Sequence, residues 1–191
     1  MVAFPPENFV TLLAPNVFGE MAKYWGRWYL WETSLFIGVP GLAFAVYAAI
    51  RCDLRIKLPA LVIILVSLLL ALGSYTPLFH FLYVWVPGFD RFRSISKFIF
   101  PASLFIILLA ATGFDQLLRG KTVGKALVAA VFASATALGL AAWWAGNTTS
   151  WPALMNTARV TGESYLFPQL YSDMEFMTRS QNCAATSLGI A

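Results

Sequence analysis

Apolar and polar residues in this chain segregate into long blocks instead of alternating, and the blocks predict the elements. Apolar runs of helical length occupy residues 33–50, 58–75, 98–118 and 126–145. Each is close to the roughly 20 residues that a helix needs to cross a ~30 Å hydrocarbon core. A fifth run at 78–85, bracketed by Pro77 and Pro87, is too short to span. It predicts an interfacial or re-entrant helix. The pattern therefore predicts an all-α, polytopic transmembrane helical bundle: about four membrane-spanning helices plus the interfacial one. Within the first span, Gly38-Val39-Pro40-Gly41 predicts a kink.

Composition agrees. Of 191 residues, 59% are hydrophobic and 12% charged, with a mean hydropathy of +0.71. An ordinary soluble domain carries roughly twice that charge, so this chain cannot cover a globule with polar surface. A cytosolic enzyme domain and a disordered tail are excluded. So is a nucleic-acid binder, because the basic residues behind the pI of 9.2 punctuate apolar runs and form no solvated basic face. Cys52 and Cys183, far apart, suggest neither a disulfide framework nor a thiolate metal site.

The charges assign a direction. Residues 51–57 and 119–125 carry six of the 13 basic residues and one acid, whereas the expected outer segments balance seven basic against seven acidic residues. Short Lys/Arg-rich loops stay cytoplasmic, so both turns are expected inside. All seven tryptophans fall at or beyond the expected outer ends, where amphipathic rings favour the interface. The expected organisation is an extracytoplasmic segment at 1–32 and a four-helix transmembrane region at 33–145 with an outer loop at 76–97. An extracytoplasmic segment at 146–191 then leads to the start of another apolar run. Residues 1–29 lack a signal peptide's basic n-region and contain Pro5, Pro6, Pro15 and several charges. An upstream helix is the simplest agent for translocating them. The chain thus reads as a fragment that packs with the remaining helices of a larger protein, the alternative being a small protein with its N-terminus outside. Ala129, Ala133, Ala137 and Ala141, with Ala135 and Gly139, give the fourth helix small residues at a spacing that suits close helix packing. An Ala-rich helix without a particular partner would look the same.

Candidate chemistry concentrates in the outer loop. Arg91, Arg93 and Lys97 lie against the positive-inside trend and directly precede the third span. Cations at a helix N-terminus, at headgroup depth, suit a phosphate or pyrophosphate. Nonspecific headgroup contact, or pairing of Arg91 with Asp90, is the plainer account. Ser94 and Ser96 are candidate N-caps. Glu32, among Trp28, Tyr29 and Trp31, is a weak candidate for taking a proton; an ion pair with Arg27 or a capping role is the commoner explanation. His80, the single histidine, sits among aromatic residues and suits interfacial packing better than catalysis. Asp115 and Arg119 are spaced for an i,i+4 pair. Asn147-Thr148-Thr149 is a formal glycosylation sequon. No metal-ligand cluster, Gly-rich nucleotide loop or Ser/His/Asp set is present, so no metal or cofactor is expected.

The runs Phe4-Pro5-Pro6-Glu7-Asn8, Leu13-Ala14-Pro15-Asn16-Val17-Phe18-Gly19, Tyr24-Trp25-Gly26-Arg27 and Trp31-Glu32-Thr33-Ser34-Leu35-Phe36-Ile37-Gly38 resemble the middle of YfhO-like bacterial membrane proteins. So do Leu72-Gly73-Ser74-Tyr75-Thr76-Pro77-Leu78, Val86-Pro87-Gly88-Phe89-Asp90-Arg91-Phe92-Arg93 and Ala110-Ala111-Thr112-Gly113-Phe114-Asp115. Their order and spacing carry the resemblance across residues 4–118. It implies a bacterial cytoplasmic membrane and the GT-C class of integral membrane glycosyltransferases, which move a sugar from a polyprenyl-phosphate donor to a glycan, lipid or protein on the outer face. It further implies a donor-phosphate role for Arg91 and Arg93, and matches Glu32 to an acidic position. The class places its acidic catalytic motif in a first outer loop that this chain does not contain. A lipid transporter or flippase-like bundle, or a structural membrane subunit, is the alternative, with the same cations holding an anionic lipid.

Overall fold

The computed structural model describes residues 2–20, 24–91, 94–120, 124–160 and 173–191. Among them the only regular elements are helices: α1 (Leu30–Thr33), α2 (Gly38–Arg51), α3 (Leu54–Leu72), α4 (Pro77–Trp85), α5 (Ile99–Leu118), α6 (Lys125–Asn147), α7 (Trp151–Val160) and α8 (Met174–Ile190). Short 3₁₀ turns cover Pro6–Leu12, Gly73–Tyr75, Phe89–Arg91 and Ser96–Phe98. The chain is an all-α bundle. Four segments, Leu30–Arg51, Leu54–Tyr75, Ser96–Leu118 and Leu127–Asn147, are long and apolar enough to cross a membrane.

The expected spans are all present, but the first is not one kinked helix. After α1 the backbone runs extended from Ser34 and re-enters helix at Gly38, whose φ is +78°. Pro40 then lies in the first turn of α2, where its missing N–H costs nothing. Had the helix continued, the proline ring would have met the carbonyl one turn earlier. At 14 residues α2 is about 21 Å long, short of a hydrocarbon core.

The N-terminal segment closes this gap. Thr11 Oγ1 accepts the Leu35 N–H at 3.0 Å, the Leu12 carbonyl accepts the Ile37 N–H at 3.0 Å, and Asn8 Nδ2 donates to the Thr33 carbonyl at 2.9 Å. Asn8, Thr11 and Thr33 are buried. Non-helical backbone at membrane depth is tolerated only when protein satisfies it in this way.

Small residues set the helix packing. α2 lies against α5 through Ala45, Ala48, Ile106 and Leu109, and Ala60 of α3 joins the same cluster. Gly113 is where the two backbones come closest: a Cβ there would run into the Phe44 carbonyl oxygen. A second cluster places Phe4 among Leu35, Ala71 and Ile99, where the Phe4 N–H also donates to the Ala71 carbonyl at 2.8 Å. A third joins Ala14, Val17, Phe18, Tyr24 and Trp25 to Ala145, Trp151, Met155 and Ala184. Residues 2–20 are therefore a wedge between the α3/α5 ends and the α6/α7/α8 ends. Trp25 and Trp151 are buried in its seam, 5.4 Å apart, while Trp31, Trp85, Trp143 and Trp144 remain exposed.

α6 has little cover. Ala129, Ala133, Ala135 and Ala137 are exposed and a Cβ on Gly139 would meet nothing, so this part of the small-residue stripe packs on no described helix of this chain, whereas Ala141 is half-buried. α8 packs along α6 and against the wedge: Gln181 Nε2 donates to the carbonyls of Ala145 and Thr148, Gly189 nears Ala142, and Ser187 Oγ accepts the Asn16 N–H at 3.1 Å. α4 has no buried residue, as expected of a helix lying in an interface.

Candidate functional site

The site forms where α1, the turn before α5 and the chain start converge. Glu32, on α1, accepts a hydrogen bond from Ser94 Oγ at 2.7 Å and pairs with Lys97 Nζ at 3.7 Å. Ser94 Oγ and Ser96 Oγ are 2.9 Å apart. The Glu32 side chain is 16% exposed and that of Lys97 is 71% exposed. The carboxylate is thus mostly buried, and the ammonium lies over it from the solvent side.

This corrects two expectations. Glu32 does not pair with Arg27; Arg27 reaches Glu7 at 2.5 Å instead and stands 5.6 Å from the Tyr75 ring centre. Nor do Ser94 and Ser96 cap the helix, since no side-chain cap bond is made at the Ser96–Phe98 turn or at α5. Their hydroxyls turn to Glu32 and to each other.

The backbone is also partly spent. The Val2 carbonyl accepts the N–H groups of Ile95 and Ser96, at 3.0 and 3.2 Å, through an isolated bridge to Ser94. Two amides that an anion would use are already satisfied, so recognition of a phosphate here rests on side chains. Gly73 makes the approach feasible. Its φ is +50°, and a Cβ on it would collide with Ile95 Cδ1 and reach Ala3.

Arg91 ends the 3₁₀ turn Phe89–Arg91 and is exposed. Among the described residues it makes no ion pair. Arg93 lies outside the described residues. Of the four sequence candidates, the structure therefore joins Glu32 and Lys97, leaves Arg91 on the neighbouring turn, and does not describe Arg93. Ser94, which anchors the carboxylate, and the Glu7–Arg27–Tyr75 group beside it were not expected as partners. Glu7 and Arg27 are 20 residues apart, and no spacing rule connects them.

Of the remaining candidates, His80 is exposed on α4, Asp115 holds Arg119 at 2.8 Å as spaced, and Asn147 is exposed at the end of α6. Among the described residues no group of three His, Cys, Asp or Glu could hold a metal ion. Cys52 is buried beside Thr112 and Gln116, whereas Cys183 lies on α8 with its thiol donating to the Asn16 carbonyl at 3.3 Å. Burial pushes the Cys183 thiol pKa up, and the nearby Glu20 charge adds to that. Comparison of the chain with protein-family models, with curated proteins and with solved structures gives no match.

Proposed function

We propose that this chain is part of an integral membrane glycosyltransferase-like protein that handles a polyprenyl-phosphate-linked sugar, with Arg91, Arg93 and Lys97 as the cations for its phosphate. The observation that carries the reading is the half-buried Glu32 carboxylate held by Ser94 and covered by Lys97. It puts an acid and a cation side by side, a few residues from the exposed Arg91 turn. In such a transfer an acceptor hydroxyl attacks the anomeric carbon and the bond from that carbon to the phosphate oxygen breaks. The cations stabilise the charge left on the phosphate, and the hydroxyl proton passes to a carboxylate, for which Glu32 is this chain's candidate. The tryptophan-bearing end would face the outside of a bacterial cytoplasmic membrane, and the turns at 51–57 and 119–125 the cytoplasm, by the positive-inside rule.

The test is binding of farnesyl phosphate to the purified chain in a neutral detergent, read by native mass spectrometry. Arg91→Ala should weaken binding about tenfold, as expected for one charge-assisted contact of about 1.5 kcal/mol, and leave farnesol binding unchanged. Equal affinity for farnesol and farnesyl phosphate in the native chain would refute the proposal.

The interruption of the first span at residues 34–37 favours a second reading, a transporter or flippase-like bundle, because broken helices recur at transport sites. That reading expects transbilayer movement of the same lipid in vesicles, without sugar transfer.

A further inference from the structure

The opposite end of the bundle combines a groove with unpaired charge. Between α2 and α6 lies an apolar cleft of about 280 Å³, walled by Val39, Ala43 and Tyr47 on one side and Val128, Val131 and Phe132 on the other. A second cleft of about 210 Å³ shares Val39, Ala43 and Val131 and extends it toward Leu13. Both lie along membrane-spanning stretches, on the helix with least cover from the rest of the chain.

The cleft ends among cations. Tyr47 is one helical turn before Arg51, and Val128 less than one turn after Lys125. α2 and α6 approach each other here, because the Arg51 guanidinium comes within 3.8 Å of where a Gly124 side chain would begin. Of the acids at this end, Asp115 is committed to Arg119. Asp53, the residue before α3, is exposed and its carboxylate makes neither a cap bond nor an ion pair among the described residues, so it offsets one of the cations. Lys57 Nζ donates to the Ile50 carbonyl. Among the described residues Arg51, Arg55 and Lys125 make no ion pair, and Lys121 lies outside them.

A groove between two spanning helices is bathed in hydrocarbon. Lipid tails are as apolar as its walls, so the groove itself selects no particular tail. Selection must come from the head, and cations between helix ends favour an anionic one. We infer that the α2/α6 groove seats one acyl chain of an anionic glycerophospholipid whose phosphate is held by Arg51 and Lys125. The charge lies within one turn of the apolar wall, so a single lipid reaches both. This site is separate from the Glu32–Lys97 pair, at the other end of the helices.

The test is titration of the delipidated full chain, in neutral detergent, with dioleoylphosphatidylglycerol and dioleoylphosphatidylcholine, read by native mass spectrometry. Phosphatidylglycerol should bind about tenfold tighter. Arg51→Gln should reduce its affinity about fivefold, and Arg51→Gln with Lys125→Gln about 25-fold, at one charge contact each. Ala43→Phe, which fills the groove, should weaken both lipids, and Arg179→Gln on α8 should change neither. Equal affinities for the two lipids, or an unchanged affinity in the double charge variant, would overturn the inference. So would a loss seen only with Arg91→Ala or Lys97→Ala, or a chain that dimerises in place of binding lipid. If Ala43→Phe loses its far-ultraviolet helix signal, the exposed charge variants still decide.

Discussion

Gly113 offers the sharpest test of how the bundle holds together. In Gly113→Ala the new methyl would enter the van der Waals envelope of the Phe44 carbonyl oxygen, with the carbonyl carbon at 3.0 Å and the Ala48 Cβ at 3.3 Å. The obstacle is backbone, so no side-chain rotation relieves it. α2 and α5 must separate, loosening the buried Ala45, Ala48, Ile106 and Leu109 seam and the Phe44–Phe114 edge-to-face pair at 5.4 Å. Overpacking of this kind costs about 1–3 kcal/mol, and the better helix propensity of alanine returns up to ~1 kcal/mol. With that full return the net is about 0–2 kcal/mol, or up to roughly 30-fold in the population of the opened pair. Cys52 reports it directly, since its buried thiol lies beside Thr112 and Gln116 in the same seam. In a Cys183→Ser background, maleimide labelling of Cys52 in detergent should accelerate by that factor. Gly113→Val, with more volume to place, should exceed it. Labelling rates and thermal midpoints equal to the parent chain in both variants would refute the close-approach account.

Two other outcomes follow from the capped end. Thr11→Val keeps the shape but removes the acceptor of the Leu35 N–H. It leaves a buried donor unmet and should cost about 1–3 kcal/mol. Amide exchange should rise at residues 35–37, and Thr11→Ser should restore both. Cys183 has a raised thiol pKa from burial first and Glu20 second, so less of it is thiolate at a given pH. Its alkylation should rise with pH to a midpoint above that of a free thiol, and Glu20→Gln should move the midpoint down. A midpoint equal to that of a free thiol would contradict the packing of α8 on the N-terminal wedge.

The legibility of the candidate site was uneven, for physical reasons. Arg91 and Lys97 were readable because charge against the orientation trend is conspicuous in so apolar a chain. Glu32 was visible only as one acid among aromatics. Its partners Ser94 and Lys97 lie more than 60 residues away, across two spans, and no local period encodes such a pairing. The serines look like helix caps, but the carbonyl of Val2 and the carboxylate of Glu32 compete for the same groups and win.

By itself the sequence determined the solvent, the number of membrane-spanning helices and the grouping of charge, because transfer of apolar stretches into hydrocarbon depends on length and composition, which a linear chain displays. It also set the Asp115–Arg119 pair and the short helix between Pro77 and Pro87, both local. Tertiary structure decided the rest. An apolar run from 33 to 50 has the same hydropathy whether its helix is continuous or broken. The break at 34–37 exists because Asn8, Thr11 and Leu12 are there to bond its backbone, and Gly38 and Pro40 allow helix to restart. The N-terminal segment, which the sequence marks only by its prolines and scattered charges, becomes the wedge that joins both halves of the bundle. It can do so because backbone without water must be satisfied by protein, and residues 2–20 are the part of the chain placed to satisfy it.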